Sequence, residues 1–388
     1  MSFSYYRNGT ALNTVLLPRK LSGIKFVRTS ELALFSWGLN NLGQLGNGNT
    51  TNSPNPTAIP GVSVWSTISA GYTHSLAIKA DGTLWAWGKN FYGQIGDNTI
   101  ADRSSPVQVG SSNNWVSVGA GDQFSVALAA NNTVWSWGYN QFGQLGHGDT
   151  TYRSTPVQIT FTGGCQYISV GDDHTLAIRT DNTLWAWGYN DYGQLGLGDT
   201  ANRNSPVQVG TSKWYTAAAG EGLSLAISYN RNISYAEKYL YSWGGNYNGA
   251  LGLDDIVSRS QPTQVGTDED WEVISARSHV LAVKEDNSLW AWGFNGNGIL
   301  GDGTNLRKST PVQITAAFDW SYVSAGSDHS LAIKTDGSLW SWGNNFYGQL
   351  GDGTTTSSTT PNRVSQADVF LDISAGNSYS ISLKLPIT

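Results

Sequence analysis

The stretch Trp87-Gly88-Lys89-Asn90-Phe91-Tyr92-Gly93-Gln94-Ile95-Gly96 decides the fold, because related copies of it recur along the whole chain. The seven copies begin at Trp37, Trp87, Trp137, Trp187, Trp243, Trp292 and Trp342. Successive copies are 50, 50, 50, 56, 49 and 50 residues apart. A fixed period of this length is typical of propeller blades and solenoid units. The 388 residues are therefore better interpreted as one repetitive domain than as several unrelated ones.

One unit, residues 65–109, contains the signals of four short strands. The segments 74–79 and 83–87 alternate around Ala80-Asp81-Gly82, which is typical of a β-hairpin. A strand rich in small residues, 65–71, precedes the hairpin, and an outer strand that begins near Pro106 follows it. Four strands per unit indicate one blade, so the sequence predicts an all-β, seven-bladed β-propeller of four-stranded antiparallel blades.

The two ends of the repeat array each hold only part of a blade. Residues 370–384 would supply two strands and residues 32–37 a third. We therefore predict that pairing of N- and C-terminal strands closes the ring, which removes an open sheet edge. The predicted domains are a basic N-terminal arm at 1–30 and a single propeller at 31–388, with a hairpin insertion at 229–239.

Charge is distributed unevenly along the chain. The first 30 residues contain five basic side chains and no acidic one, so subtracting them from the net charge of −6 leaves about −11 on the repeats. An acidic array repels phosphate backbones, which argues against nucleic-acid binding by the propeller. With 39% hydrophobic, 12% aromatic and 13% charged residues, the composition excludes a disordered or coiled-coil chain.

The sequence shows no long apolar run that would span a membrane and no recognisable signal peptide. Cys165 is the only cysteine, so a disulfide framework within the chain is excluded. On these grounds we expect a location in a virion or in the cytoplasm.

No constellation of side chains indicates catalysis, a metal or a cofactor. Four histidines, His74, His174, His279 and His329, share one repeat position that Phe124, Leu223 and Tyr379 occupy elsewhere. This position therefore requires a large side chain and does not require one that can be protonated. The carboxylates at Asp302 and Asp352 are replaced by Leu197 and Leu253 in other units, so they do not form a calcium loop. We expect a protein that is not an enzyme and that has no cofactor.

Two segments depart from the repeat and are candidates for binding a protein partner. The candidate residues in the arm are Tyr5, Tyr6, Arg7, Leu16, Leu17, Arg19 and Lys20. Those in the insertion are Arg231, Tyr235, Glu237, Lys238 and Tyr239. The alternatives are a flexible terminus and a neutral insertion at a hairpin tip. The seven motif tryptophans are expected to pack blade against blade and to have no binding role.

The phrase Trp-Gly-x-Asn-x-x-Gly-Gln-Leu-Gly, intact at Trp37, Trp137, Trp187 and Trp342, resembles the repeat of the regulator of chromosome condensation family. It follows Ala-Gly-x-x-His-Ser-Leu-Ala-Ile at Ala70 and Ala325. The resemblance covers residues 32–384 and implies a seven-bladed propeller. Members of this family include the exchange factor for the small GTPase Ran, a plant ultraviolet-B receptor, and prokaryotic and viral proteins in which the propeller resembles an interaction platform.

Turns such as Asp81-Gly82-Thr83 and Asp336-Gly337-Ser338 most resemble those of the prokaryotic and viral members. This resemblance leads to the hypothesis of a non-enzymatic structural or protein-interaction module, a component of a virion or large assembly that is anchored by its N-terminal arm. One alternative is a guanine-nucleotide exchange factor for a small GTPase, with the insertion as its wedge. Another is a cell-surface or glycan-binding propeller.

Overall fold

The computed structural model describes residues 6–7, 10–11, 32–61, 64–229, 237–365 and 368–385, the first two segments and residue 229 by their backbone alone. Regular structure in these residues is almost entirely β, with one 3₁₀ turn at Gly296–Gly298. In chain order the strands are β1 (Tyr6–Arg7), β2 (Thr10–Ala11), β3 (Ala33–Gly38), β4 (Ser53–Ala58), β5 (Trp65–Ala70), β6 (His74–Lys79), β7 (Leu84–Gly88), β8 (Arg103–Gln108), β9 (Trp115–Ala120), β10 (Phe124–Ala129), β11 (Val134–Gly138), β12 (Arg153–Gln158), β13 (Cys165–Val170), β14 (His174–Arg179), β15 (Thr183–Gly188), β16 (Arg203–Ala219), β17 (Leu223–Tyr229), β18 (Lys238–Gly244), β19 (Arg259–Gln264), β20 (Trp271–Ala276), β21 (His279–Lys284), β22 (Leu289–Gly293), β23 (Lys308–Gln313), β24 (Trp320–Ala325), β25 (His329–Lys334), β26 (Leu339–Gly343), β27 (Ser358–Arg363), β28 (Phe370–Ala375) and β29 (Tyr379–Lys384).

The strands form seven antiparallel blades, as the sequence predicts. Blades 1, 2, 5 and 6 are β5–β8, β9–β12, β20–β23 and β24–β27. Blades 3 and 4 share one sheet, because β16 runs without a break from the outer edge of blade 3 into the innermost position of blade 4. Blade 7 consists of β28, β29, β3 and β4. The innermost strands of the seven blades surround a central channel with a cavity of about 340 Å³.

Blade 7 closes the ring by pairing the two ends of the array, which confirms the predicted closure. β29 pairs antiparallel with β3 along its full length, from Tyr379 opposite Gly38 to Lys384 opposite Ala33. The buried side chains of Leu34, Ile381 and Leu383 pack in one cluster with residues of blade 1. The closure therefore joins both ends of the chain to the next blade.

The motif tryptophans join each blade to the one before it. All seven indoles are fully buried. Each Nε1 donates a hydrogen bond of 2.8–3.0 Å to a backbone carbonyl in the preceding blade, and the pairs are Trp37–Gln349, Trp87–Gln44, Trp137–Gln94, Trp187–Gln144, Trp243–Gln194, Trp292–Ala250 and Trp342–Ile299. These bonds satisfy the one polar atom of a large buried ring, so each tryptophan packs one blade against the blade before it.

The other invariant residues of the motif determine the conformation of the loop that follows the tryptophan. The buried Asn90 accepts a hydrogen bond from the backbone N–H of Ile95 and donates to the carbonyls of Thr99 and Ala101. Gly96 has a φ of +83°, and a Cβ at this position would lie 2.6 Å from Nε1 of Trp137. The motif therefore specifies a tight loop that the next tryptophan packs against.

The repeated histidines also link neighbouring blades. Each is buried, and its Nε2 lies 2.7–2.9 Å from a serine hydroxyl of the following blade, in the pairs His74–Ser125, His174–Ser224, His279–Ser330 and His329–Ser380. Burial lowers the pKa of His74, His174 and His279 to about 3. These three histidines are neutral at physiological pH, so they have a structural role.

The outer strands begin earlier than the prolines suggest. The predicted strand starts near Pro106, whereas β8 starts at Arg103 and places the proline at its fourth position. The ladder between β7 and β8 has a register shift between Ala86 and Gly88. Proline is tolerated there because its missing N–H faces an irregular part of an edge ladder.

The propeller has two distinct faces. The front face carries the loops that join the first to the second strand and the third to the outer strand of each blade, such as 71–73 and 89–102 in blade 1. The back face carries the hairpin turns, such as 80–83, and the connections between blades, such as 109–114. β17 ends and β18 begins at the back face, so the described ends of the insertion at 229–239 belong to that face.

Removing residues 369–388 is expected to open the ring, because β28 and β29 would be lost and β3 would keep only its outer partner β4. The truncated protein should have a larger radius of gyration in small-angle X-ray scattering and should unfold with lower cooperativity. Removing residues 386–388 alone is the matched control and should preserve both properties. An unchanged radius of gyration after the larger truncation would show that closure does not depend on these strands.

Candidate functional site

The front face carries a continuous band of aromatic side chains, which we name the aromatic arc. Its members lie in the loops between third and outer strands of blades 1 to 4, and they are Phe91, Tyr92, Tyr139, Phe142, Tyr152, Tyr189, Tyr192 and Tyr247. Ring centroids of neighbouring members lie 4.7–6.0 Å apart, from Phe91 at one end to Tyr247 at the other. Both end residues are 64% exposed. Contiguous exposed aromatic surface of this kind marks binding sites on soluble proteins.

An acidic cleft lies beside the arc, nearer to the channel. Four carboxylates line it: Asp122, Asp172, Asp173 and Glu221. They come from the short loops between the first and second strands of blades 2, 3 and 4. Tyr189, Tyr192 and Tyr247 of the aromatic arc also line the cleft, which has a volume of about 330 Å³.

Backbone hydrogen bonds between blades fix the positions of these short loops. The N–H of Asp122 donates to the carbonyl of Asp172 at 3.0 Å, and the N–H of Glu221 donates to the carbonyl of Arg277 at 3.1 Å. A site built on rigid, mutually bonded loops is preorganised, which lowers the entropic cost of binding. The carboxylates therefore converge without a partner to arrange them.

Burial and mutual repulsion raise the pKa values of three carboxyl groups in the acidic cleft. Burial, followed by the charges of Asp122 and Asp172, raises the pKa of Asp173 to about 7. Burial is also the main cause of the raised pKa values of Asp122 and Glu221, and the negative charge of Asp172 adds to both. A cation placed beside these carboxyl groups would stabilise their charged form and lower their pKa values.

The guanidinium of Arg277 lies beside the carboxyl groups of the acidic cleft, at the front end of the channel. An ion pair at 2.9 Å joins its Nη2 atom to Asp172, and its guanidinium lies 5.8 Å from the ring centre of Tyr72. The Arg277 side chain is only 8% exposed. Its Nε atom makes no hydrogen bond with any residue in the described part of the chain.

Small residues in blade 4 open the acidic cleft. Gly245 occupies the position of Lys89, Tyr139 and Tyr189 in the blades before it. Gly222 and Ala250 likewise stand where blade 3 has Asp173 and Gln194, and all three small residues line the cleft. The cavity thus exists because blade 4 lacks side chains that its neighbours carry.

Among the sequence-predicted partner residues, the three whose side chains are described, Glu237, Lys238 and Tyr239, lie outside the front-face site. In the arm, Tyr5, Leu16, Leu17, Arg19 and Lys20 lie outside the described residues, as do Arg231 and Tyr235 of the insertion. Tyr6 and Arg7 belong to β1, of which only the backbone is described. Nothing in the structure tests a binding role for these residues, so it stays a prediction.

The described part of the insertion contacts blade 5 on the back face. The ammonium group of Lys238 contacts the carboxylates of Glu272 and Glu285. The hydroxyl of Tyr239 donates to Glu269 at 2.8 Å and also lies near Glu237. These residues therefore take part in intramolecular bonds, while the arc and the cleft lie on the opposite face.

Other kinds of site find no support in the described residues. Among them no group of three or more His, Cys, Asp or Glu side chains could hold a metal ion. No helix in the same part of the chain is long and apolar enough to cross a membrane. Cys165 is buried, and burial raises the pKa of its thiol to about 12, so it is a poor nucleophile.

Comparison with protein families agrees with this architecture. The profile of the RCC1-like domain matches residues 26–321, and profiles of the regulator of chromosome condensation (RCC1) repeat match residues 320–349 and 336–383. The chain belongs to the RCC1 family. A search of curated protein sequences finds no match.

Solved RCC1-like propellers have the same fold. The structure of Prp20p from Saccharomyces cerevisiae superposes with a TM-score of 0.83 at 22% identity, covering 95% of this chain and 93% of that protein. Yeast RCC1 (Prp20) bound to Kap60 gives 0.83 at 21% identity, with 97% of each chain covered. Human WBSCR16 gives 0.82 at 22% identity, covering 92% of this chain and all of its own. At these identities the likeness establishes the fold.

The hypothesis of a virion component is wrong. The structural neighbours are the eukaryotic RCC1-family proteins Prp20 and WBSCR16, and they give no support to a viral assembly. The hypothesis depended on turns such as 81–83, in which Asp81 accepts hydrogen bonds from the N–H and the hydroxyl of Thr83. These contacts stabilise a hairpin locally, so such turns carry no information about a partner.

Replacing Asp173 by Asn is expected to stabilise the protein at pH 8 more than at pH 5. Because the pKa of about 7 in the folded protein lies above the ordinary value of 3.8, ionisation between these values weakens the folded state. Asn keeps the acceptor for Gln144 Nε2, which donates to Asp173 at 3.0 Å. Since the group is partly exposed, we expect the gain at pH 8 to exceed that at pH 5 by about 1–2 kcal/mol in urea unfolding.

The matched control for this prediction is Asp328→Asn in blade 6. Asp328 occupies the same repeat position but accepts hydrogen bonds from Asn344, Gln349 and Ser378 at 2.9–3.1 Å. Loss of these charge-assisted bonds should destabilise the protein at both pH values. Equal effects of Asp173→Asn at pH 5 and pH 8 would contradict the proposed repulsion in the cleft.

Proposed function

We propose that this RCC1-family propeller is a guanine-nucleotide exchange factor that binds a small GTPase through its front face. The observation that carries the proposal is the aromatic arc beside the acidic cleft, on one face of a rigid ring. Tyrosine and other aromatic residues are enriched at the energetic centres of protein interfaces. The acidic groups favour a partner whose contact surface is basic.

Family membership supports a GTPase as that partner. The RCC1 family includes the exchange factor for the small GTPase Ran. Prp20p, one of the structural neighbours, was described together with its binding to Gsp1p and histones. The fold likeness spans almost the whole of both chains, so the ring that would carry such a face is common to both proteins.

Exchange of a nucleotide breaks no covalent bond in the GTPase, so the exchange factor needs no catalytic side chain. It accelerates release by binding the nucleotide-free GTPase more tightly than the nucleotide-bound form. Departure of GDP leaves a lysine and backbone N–H groups of the phosphate-binding loop without an anion. Preorganised carboxylates on the front face are suited to stabilising such an electropositive surface. We therefore propose that the protein catalyses no covalent reaction.

The test is release of fluorescent GDP from a panel of small GTPases, with Ran first. Wild-type protein should accelerate release from at least one member. The double substitution Phe91→Ala, Tyr247→Ala removes both exposed ends of the aromatic arc and should lower the rate by about 10-fold, the effect of losing about 1.4 kcal/mol of interface energy. No core contact is lost, because both rings are 64% exposed.

Phe318→Ala is the matched control for the front-face variant. Phe318 is 57% exposed and lies between β23 and β24 on the back face. Its substitution should leave the release rate unchanged. Absence of acceleration with every GTPase would refute the exchange function, and an equal loss in the Phe318 variant would refute the choice of face. Shortening residues 230–236 tests separately whether the insertion acts as a wedge.

A further inference from the structure

The acidic cleft has an excess of negative charge that the described residues do not neutralise. Its four carboxylates face one nearby guanidinium, that of Arg277, which forms its ion pair with Asp172. Lys89 acts on the cleft only as a charge that lowers the pKa of Asp122. Partly desolvated carboxylates without a counterion are costly, and a cationic ligand would remove that cost.

The walls of the cleft suit a cation that is weakly hydrated. The rings of Tyr189 and Tyr192 are 6.0 Å apart and perpendicular, at 86°. Tyr192 and Tyr247 are 5.6 Å apart at 87°. Because the rings are perpendicular, they form walls of the cleft that face different directions. The faces of aromatic rings attract alkylated ammonium groups through cation–π contacts. An unmethylated ammonium group is more strongly hydrated than an alkylated one, so transferring it from water into the cleft costs more free energy.

Arg277 indicates that the occupant also brings hydrogen-bond acceptors. Its Nε atom is buried and makes no hydrogen bond with a described residue, while its Nη2 atom pairs with Asp172, which lines both the channel and the cleft. A buried donor without an acceptor destabilises the unbound protein. Peptide carbonyls next to a cationic side chain would supply acceptors, which a free metal ion would not.

We infer that the acidic cleft binds a methylated lysine side chain of a partner protein. Lysine methylation keeps the positive charge that the carboxylates require. The methyl groups contact the tyrosine rings, and a remaining N–H of a mono- or dimethylated ammonium donates to a carboxylate. This inference rests on the proposed role of the front face as a partner surface but not on nucleotide exchange.

Glycine at position 245 allows the cleft to be filled without a change in the fold. A Cβ built there would lie 3.4 Å from the carbonyl oxygen of Gly222 and 3.6 Å from atoms of Tyr192, which are ordinary contacts. Tyrosine occupies the same repeat position at Tyr139 and Tyr189. Gly245→Tyr should therefore fold normally and occupy the space that the lysine side chain would take.

The experiment measures calorimetric binding of three synthetic peptides, identical except for a central dimethyllysine, lysine or norleucine. The full-length protein should bind the dimethyllysine peptide about 5-fold or more tightly than the lysine peptide, because the alkylated ammonium group makes cation–π contacts with the tyrosine rings and loses less hydration. The norleucine peptide has no charge and should not bind measurably. In the Gly245→Tyr variant, binding of the dimethyllysine peptide should be lost.

Phe346→Ala is the matched control, because Phe346 is an exposed aromatic residue of the front face in blade 6, outside the cleft. It should retain the affinity of the wild-type protein. Equal affinity for the lysine and dimethyllysine peptides, binding of norleucine, or unchanged binding by Gly245→Tyr would each overturn the inference. GDP release by the wild-type protein reports the exchange function independently, so the two proposals can fail separately.

Discussion

The ring depends on one hydrogen bond made seven times, from a buried indole N–H to a backbone carbonyl of the preceding blade. A blade cannot bury its tryptophan alone, since both the acceptor and much of the packing surface belong to its neighbour. The bond from Trp37 to Gln349 completes the series across the chain ends. Sheet pairing in blade 7 and indole packing therefore close the same ring by two different interactions.

This construction separates stability from recognition within one short loop. In blade 1 the fixed residue Asn90 bonds across its own loop, and the fixed residues Gly93 and Gly96 lie against Ser154 and Trp137 of the next blade. The variable residues between them, Phe91 and Tyr92, project from the front face and join the aromatic arc. The same loop shape recurs in neighbouring blades, so side chains at equivalent loop positions lie next to each other on the front face. They form the aromatic arc without any long insertion.

The period of the motif was sufficient to predict the blades, the closure and the burial of the tryptophans, because these follow from spacing and binary pattern. It did not reveal the acidic cleft. Asp122, Asp172 and Glu221 are about 50 residues apart in sequence, and they meet only because equivalent loops converge around the channel axis. A signal is present in blade 4, where Gly245 and Ala250 depart from the motif, but the longer insertion in the same unit is the more conspicuous departure from the period.

Blade 4 can lose these side chains because the bond between blades uses the backbone. Trp292 donates to the carbonyl of Ala250 at 3.0 Å, as Trp243 donates to the carbonyl of Gln194 at 2.9 Å. The glutamine side chain can thus be replaced by a methyl group without removing the acceptor that holds the next blade. A repeat whose structural contacts are made by main-chain atoms leaves its side chains free to vary, and in this protein that freedom produces a cavity between tyrosines and carboxylates.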